Sequence, residues 1–257
     1  MTEGRNEAPR PQAPLPQMQA SAGIAILGSQ VVVHGRDLHH DCLDLGFVHY
    51  LLFSVTGRRF EASAARVFEQ MWVGTGYPDA RIWCNRIAGY LGSARVDPGL
   101  SMSAAIAASN SVAYGFRALR LAYDVQAEVP EAVADRERWL VRQMETRRVL
   151  HGYGRPVHGH DERIAVALKS IADSGLRAGA ALRRAFWLCQ RLGERKGIEM
   201  NIAAVWAAVA IDFGLSPLEY EQFMLLMFAP GYCAVYADQR ARAAFAFLRD
   251  YQTLAEP

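Results

Sequence analysis

Residues 152–163, GYGRPVHGHDER, bring two histidines, two arginines, an aspartate and a glutamate into one short segment. Arg155 and Arg163 are permanent cations whose guanidinium donors form a fork that matches a carboxylate or a phosphate. The glycines of the segment expose backbone N–H groups, which also favour anions. These residue types favour an anion-binding site at the two arginines, whereas His158 and His160 fit either such a site or a solvated loop.

A metal site is the other chemistry that these histidines could indicate. Such a site needs a third and a fourth ligand, and His151 and Asp161 beside His158 and His160 do not complete a zinc pattern. The histidines at positions 34, 39 and 40 fit no zinc pattern either. The four cysteines lack C-x-x-C spacing, which is typical of reduced thiols in the cytoplasm. We therefore predict neither a metal nor a resident cofactor.

Composition limits the partners that such a site could have. The chain has 257 residues, of which 51% are hydrophobic and 21% charged, and its formal net charge is only +2. No long basic tract supports nucleic-acid binding. The longest apolar runs, such as 202–211, are too short to span a bilayer. We predict a cytoplasmic protein without nucleic-acid or membrane partners, preceded by a polar, proline-rich and disordered tail at 1–21.

The hydrophobic spacing around these residues is mostly helical. AGIAILGSQVVVHG, residues 22–35, is the exception, because its β-branched residues and flanking glycines favour a short strand or hairpin. The fold class that we predict is therefore all-α with a short N-terminal strand or hairpin. Helices are predicted at 38–56, 61–74, 82–94, 100–114, 130–150, 162–174, 178–195, 200–214 and 232–253.

Two further segments carry specific expectations. Residues 201–211 are apolar on every side, which indicates a buried central helix or a helix at a subunit interface. Ser216, Pro217 and Glu219 form the signature of a helix start with a capping box. Pro230–Gly231 is expected to interrupt the helix that follows.

Four segments in order resemble the citrate synthase family. VVVHGRDLHH…FVHYLLFSVTGR is similar to its RGYDL…YLLL…G segment, and GYGRPVHGHDER to its GYGHAV…DPR loop. EMNIAAVWAAVAIDFG aligns with its PNVD…G helix, and FAPGY resembles its (S/A)R-x-x-G-W segment. The resemblance covers roughly residues 30–245. The chain is short for the family and is closer in length to its compact citrate synthase-like and citryl-CoA-lyase-like members.

The resemblance implies an all-α, homodimeric protein with a large and a small domain and a site in the cleft. The citrate synthase-like domain would cover 22–257, with a small, mobile part at approximately 115–228. The implied chemistry joins an acyl-CoA to a 2-oxo acid, or cleaves such a product. A CoA thioester is therefore a possible substrate, and a small carboxylate or acyl-CoA the expected ligand.

Most of the family's polar site residues are replaced at the aligned positions. The histidine that stabilises the enolate aligns with Tyr114, and the histidine that polarises the oxo group aligns with Arg155. The aspartate base aligns with Ala203, whose methyl group cannot accept a proton. A carboxylate-binding arginine aligns with Phe228, and only the arginine of DPR is retained, as Arg163. These replacements argue against ordinary citrate synthase activity.

A modified site is still compatible with these residues. Tyr114 retains a hydrogen-bond donor, and Arg155 with Arg163 could hold a carboxylate or phosphate. The catalytic residues that we predict are Tyr114, Arg155 and His158, and the substrate-binding residues are Arg163, Asp79, His160, Asn110 and Asn201. Candidates for the missing base are His158, His160, Asp79 and Glu199.

Two functions follow from this pattern. The first is a divergent enzyme that forms or breaks a carbon–carbon bond or transfers an acyl group. The second is a catalytically inactive relative that binds a metabolite or a partner protein. The position of three side chains distinguishes them: Tyr114, Arg155 and Arg163 should meet in one cleft if the site is retained, whereas Phe228 and Trp206 should fill that cleft if it is closed.

Overall fold

The computed structural model describes residues 21–146, 149–155 and 160–248. Its strands are β1 (Gly23–Ile26), β2 (Gln30–Val33) and β3 (Arg36–Asp37). Its helices are α1 (Leu38–Asp41), α2 (Phe47–Thr56), α3 (Ala62–Thr75), α4 (Trp83–Ser93), α5 (Pro98–Ala108), α6 (Phe116–Glu128), α7 (Val133–Thr146), α8 (Glu162–Asp173), α9 (Ala180–Lys196), α10 (Ile202–Asp212), α11 (Pro217–Met224) and α12 (Ala229–Ala241), followed by a 3₁₀ turn at Ala246–Leu248.

The chain divides into two compact units, and the first comprises residues 1–45. Its described part is a three-stranded antiparallel sheet in the order β1-β2-β3, with Gly23 opposite Val33 and Ile26 opposite Gln30. Asp37 ends this sheet and caps α1 by accepting from two backbone N–H groups. The predicted N-terminal hairpin is confirmed, while residues 1–20 of the predicted tail lie outside the described residues.

The second unit, residues 46–257, is built around α10. Because this helix is apolar on every side it has to be enclosed, and α6, α8 and α9 pack against it. The predicted burial of this segment is confirmed, with Ile202 and residues 204–210 all buried. A second layer pairs α4 with α12 so closely that a Cβ on Gly92 would lie 2.5 Å from the Tyr236 carbonyl oxygen.

Several predicted boundaries are wrong, each for a local reason. The segment 38–56 is not one helix, because the chain is extended at Gly46 between α1 and α2. Pro230 does not interrupt a helix: it lies in the first turn of α12, where a missing N–H costs nothing. No helix was predicted over α6, although its apolar residues recur at helical spacing. The capping box at Ser216 and Glu219 is confirmed.

Among the described residues, no helix is long and apolar enough to cross a membrane. The small, mobile part expected at 115–228 stays a prediction.

Candidate functional site

A cleft of about 760 Å³ opens in the second unit, where the first turns of α6 and α10 meet the loop that precedes α8. The side chains and backbone that line it come from six segments of the chain. They are Thr75, Tyr77, Val112, Ala113, Tyr114, Gly115, Ala118, Leu119, Val149, His151, Gly152, Tyr153, Gly154, Arg155, Arg163, Asn201, Ile202, Ala203 and Phe228. Tyr114, Arg155 and Arg163 therefore share one cleft, and Trp206 is not among the residues that line it.

The loop at 150–155 is fixed to the start of α10 by its backbone. The Asn201 N–H donates to the Gly152 carbonyl at 2.9 Å, and the Gly154 N–H donates to the Glu199 carbonyl at 2.7 Å. Gly152 has a φ of 91°, and a Cβ there would lie 2.9 Å from the Ala204 Cβ. Only glycine combines this backbone angle with so close an approach. The cleft residues on either side of Gly152 are consequently held against the first turn of α10.

Two polar side chains complete this attachment. The Tyr153 hydroxyl is buried, donates to the Ala185 carbonyl at 3.0 Å and accepts from Gln126 at 2.9 Å. The Asn201 amide caps α10 by accepting from the Ala203 N–H at 3.0 Å, and it donates to the Gly154 carbonyl at 2.8 Å. Asn201 was expected to bind substrate. It lines the cleft, but these two hydrogen bonds give its amide a positioning role.

A buried carboxylate, Asp161, orients Arg163. Its side chain is fully buried and accepts from Arg163 Nε at 2.8 Å and Nη2 at 2.7 Å. The same carboxylate accepts from the Ile202 N–H at 2.9 Å and caps α8. Burial by itself raises the pKa of the Asp161 carboxyl, but the hydrogen bonds from Arg163 and Ile202 outweigh it and the pKa is lowered. Arg163 therefore enters the cleft with its charge largely balanced.

Arg155 has fewer of its guanidinium donors occupied than Arg163 has. Its Nη1 donates to the His160 carbonyl at 2.8 Å and lies 3.3 Å from a carboxylate oxygen of Glu162, a side chain that is 73% exposed. No other acceptor for this guanidinium occurs among the described residues. The remaining donors of Arg155 can therefore serve an anionic ligand.

Tyr114 and Phe228 form an aromatic wall of the cleft. Their rings stack with centroids 6.0 Å apart, and Phe228 also lies 5.2 Å from the ring of Phe116. The Tyr114 hydroxyl oxygen is buried, and no described residue hydrogen-bonds to it. Burial is the main cause that raises the pKa of Tyr114, so this hydroxyl stays protonated and its proton is available to a ligand. Phe228 narrows the cleft without filling it.

Three of the predicted site residues do not line the cleft. Asp79 is held by Arg81, whose Nη2 lies 2.7 Å from its carboxylate, and the hydrogen bonds from Arg81 lower the pKa of Asp79 to about 2. His160 is exposed, with its Nδ1 2.7 Å from a carboxylate oxygen of Glu199. Asn110 is exposed on the turn after α5. His158 lies outside the described residues.

Sequence reasoning missed His151, which it considered only as a neighbour in a metal site. It is partly buried and lines the cleft immediately before Gly152. Position could have revealed it, because it adjoins the GYGR motif. Within the described parts of the chain, no group of three or more His, Cys, Asp or Glu side chains could hold a metal ion.

The fold that carries this cleft is found in solved structures. No protein-family model matches the chain, and no curated protein matches it. Citryl-CoA lyase from Hydrogenobacter thermophilus superposes with a TM-score of 0.79 at 18% identity, over 93% of this chain and 94% of that one. Citrate synthase from Thermotoga maritima superposes with a TM-score of 0.62 at 19% identity, over 76% and 54% of the two chains. The chain therefore has the citrate synthase-like, all-α fold.

A third similar structure is a mutant ATP citrate lyase from Methanosaeta concilii in complex with (3S)-citryl-CoA, with a TM-score of 0.78 and 14% identity. The match covers 95% of this chain but 42% of that protein. This chain thus spans nearly all of the citryl-CoA lyase and less than half of the ATP citrate lyase.

Proposed function

We propose that this protein is a citrate synthase-like enzyme that binds a CoA thioester in the cleft and forms or breaks a carbon–carbon bond, or transfers the acyl group. The observation that carries the proposal is the convergence of Tyr114, Arg155 and Arg163 on one open cleft. The fold supports it, because a citryl-CoA lyase shares it over nearly the whole chain.

Each of the three side chains suits one part of this chemistry. Arg155 offers fixed donors to a carboxylate or phosphate of the ligand. Arg163, balanced by Asp161, adds directional donors with little net charge. The protonated Tyr114 hydroxyl can donate to an oxygen that becomes negative when the carbon next to a thioester loses a proton.

The aromatic wall favours an acceptor other than a dicarboxylic oxo acid. The resemblance places a carboxylate-binding arginine at Phe228, which here is buried against Tyr114 and Phe116. Burying a carboxylate against these rings without a partner would be costly. The molecule that we propose to react with the thioester therefore has an apolar group at the position where a dicarboxylic 2-oxo acid has its second carboxylate.

Tyr114→Phe separates a catalytic role from a packing role. Because the hydroxyl is buried without a partner among the described residues, its removal should leave stability unchanged or raise it by up to about 1 kcal/mol. Loss of the donor should lower turnover about 10²-fold.

Tyr123→Phe is the control, because the Tyr123 hydroxyl donates to the Leu215 carbonyl at 2.5 Å. This substitution should lower the free energy of unfolding by about 1 kcal/mol and leave turnover unchanged. Thermal unfolding and a turnover assay measure both effects.

The function itself is tested by mass spectrometry in D₂O. The purified protein is incubated with acetyl-CoA, with citryl-CoA and with a pool of 2-oxo acids. Deuterium in the acetyl group, a new acyl product or released CoA is the expected result. Binding of a CoA thioester with no exchange and no product would instead favour the inactive, ligand-binding relative. That alternative has one observation in its favour: no carboxylate lines the described part of the cleft.

We also propose that the protein is a cytoplasmic homodimer. The apolar helix α5 buries only Ser101 and Ala105 of its eleven residues, and Leu100 is 66% exposed. Apolar surface of this kind suits a second copy of the chain. The four cysteines are unpaired thiols, as a reducing compartment favours. Light scattering on the eluting protein measures the oligomeric state.

A further inference from the structure

We propose that His151 is the general base of the cleft, an assignment that rests on the proposed function. It would take a proton from the carbon next to the carbonyl of a bound CoA thioester. The position where the resemblance places the family's aspartate base holds Ala203, so this chemistry requires a base from elsewhere.

The first argument is chemical. The ionisable side chains that line the described part of the cleft are Tyr77, Tyr114, His151, Tyr153, Arg155 and Arg163. A guanidinium has no lone pair to accept a proton, and tyrosines ordinarily remain protonated near neutral pH. Burial raises the pKa of Tyr114 and of Tyr153 further. Of these described side chains, the imidazole of His151 is the one whose chemistry lets it accept a proton near neutral pH.

The second argument is position. His151 is bonded to Gly152, whose carbonyl accepts the Asn201 N–H at 2.9 Å. A Cβ built on Gly152 would lie 3.2 Å from the Ala204 backbone nitrogen, so the loop touches the first turn of α10. Ala203 lies in that turn and lines the same cleft. His151 is thereby held beside the turn from which the family's base would project.

The third argument concerns the other candidates. His160 is 90% exposed and pairs with Glu199, and neither lines the cleft. Asp79 does not line the cleft, and its carboxylate accepts a bidentate hydrogen bond from Arg81. Among the described residues, His151 is the one remaining candidate that lies in the cleft.

The proposed step is balanced by the residues present. The carbon–hydrogen bond next to the thioester breaks, and its electron pair forms the carbon–carbon double bond of an enolate. The proton moves to a nitrogen of His151, and the thioester oxygen gains negative charge that Tyr114 can stabilise. In D₂O the imidazolium exchanges its proton with solvent and returns a deuteron to carbon.

The experiment compares wild type, His151→Gln, His151→Asn and His160→Gln in two assays. Calorimetry measures the affinity for acetyl-CoA, and mass spectrometry in D₂O, with 2-oxo acids present, measures exchange into the acetyl group. His160→Gln is the matched control, since it removes an exposed imidazole nine positions further along the chain.

We expect wild type and His160→Gln to bind and exchange alike. The two His151 variants should keep their affinity within about threefold and lose about 10²–10⁴-fold in exchange rate. Exchange at the wild-type rate in a His151 variant would overturn the assignment, as would a His151 variant that melts normally but no longer binds. If wild type binds acetyl-CoA but shows no exchange, the assignment of His151 as the base is overturned, while the cleft remains a binding site for the thioester. Wild type that binds no CoA thioester would overturn both proposals.

Discussion

Asp161→Asn is expected to lower the free energy of unfolding by about 3 kcal/mol, the low end of the cost of breaking a buried ion pair. The carboxylate is fully buried and accepts from the Arg163 side chain twice and from the Ile202 N–H once. An amide presents an N–H₂ group to at least one of these donors. Because the carboxylate no longer orients the Arg163 guanidinium, the variant should also bind the ligand of the cleft less tightly.

Asp173→Asn is the control for this change. Asp173 lies at the end of the same helix, is 61% exposed and pairs with Lys169 on the surface. Its replacement should shift the free energy of unfolding by less than about 0.5 kcal/mol. Chemical denaturation of both variants measures the difference, and equal stability of the two would contradict the role assigned to Asp161.

The pH dependence of this effect has a defined sign. The pKa of Asp161 is lowered in the folded protein, so its contribution to stability is present above the unfolded value of 3.8 and is lost as pH falls through the folded pKa. The stability difference between wild type and Asp161→Asn should be constant from pH 7 to pH 5. It should shrink only below about pH 4.

Arg155→Gln is expected to weaken the binding of acetyl-CoA by about 10–100-fold, which corresponds to one or two charge-assisted hydrogen bonds. Arg155 is the cation of the cleft whose donors are least occupied, since among the described residues it contacts only the His160 carbonyl and the exposed Glu162. For the same reason its replacement should cost little stability. Calorimetric titration of acetyl-CoA measures the affinity.

Arg81→Gln provides the comparison for the loss of one positive charge. Arg81 is 88% exposed, pairs with Asp79 and does not line the cleft. Its replacement should leave the affinity within about twofold. Equal weakening by both substitutions would mean that long-range charge, rather than contact in the cleft, attracts the ligand.

Helix interiors could be predicted from the sequence more easily than helix ends. Residues 201–211 could be assigned as a buried helix because an apolar run without a polar face has to be enclosed. The helix α6 could have been found, because Phe116, Leu119, Ala122 and Tyr123 recur at helical spacing. The start of α12 could not, since a proline within an apolar segment fits both a first turn and an interruption.

The candidate site could be predicted only in part, because distant segments build it. Arg155 and Arg163 were recognisable from their type and their motif. The role of Asp161 depends on the Ile202 N–H, 41 positions further along the chain, so no local pattern could indicate it. Asp79 has the right type for a site, but Arg81, two residues later, already occupies its carboxylate.

The most direct test of the central claim, that this cleft binds a CoA thioester, is a calorimetric titration of acetyl-CoA into wild type and Ala203→Trp. Ala203 lines the cleft in the first turn of α10, so an indole there occupies the space of the ligand. Ala127→Trp, on an exposed position of α6, is the matched control. The account predicts that wild type and Ala127→Trp bind and that folded Ala203→Trp does not. Binding of equal strength by all three proteins would contradict it.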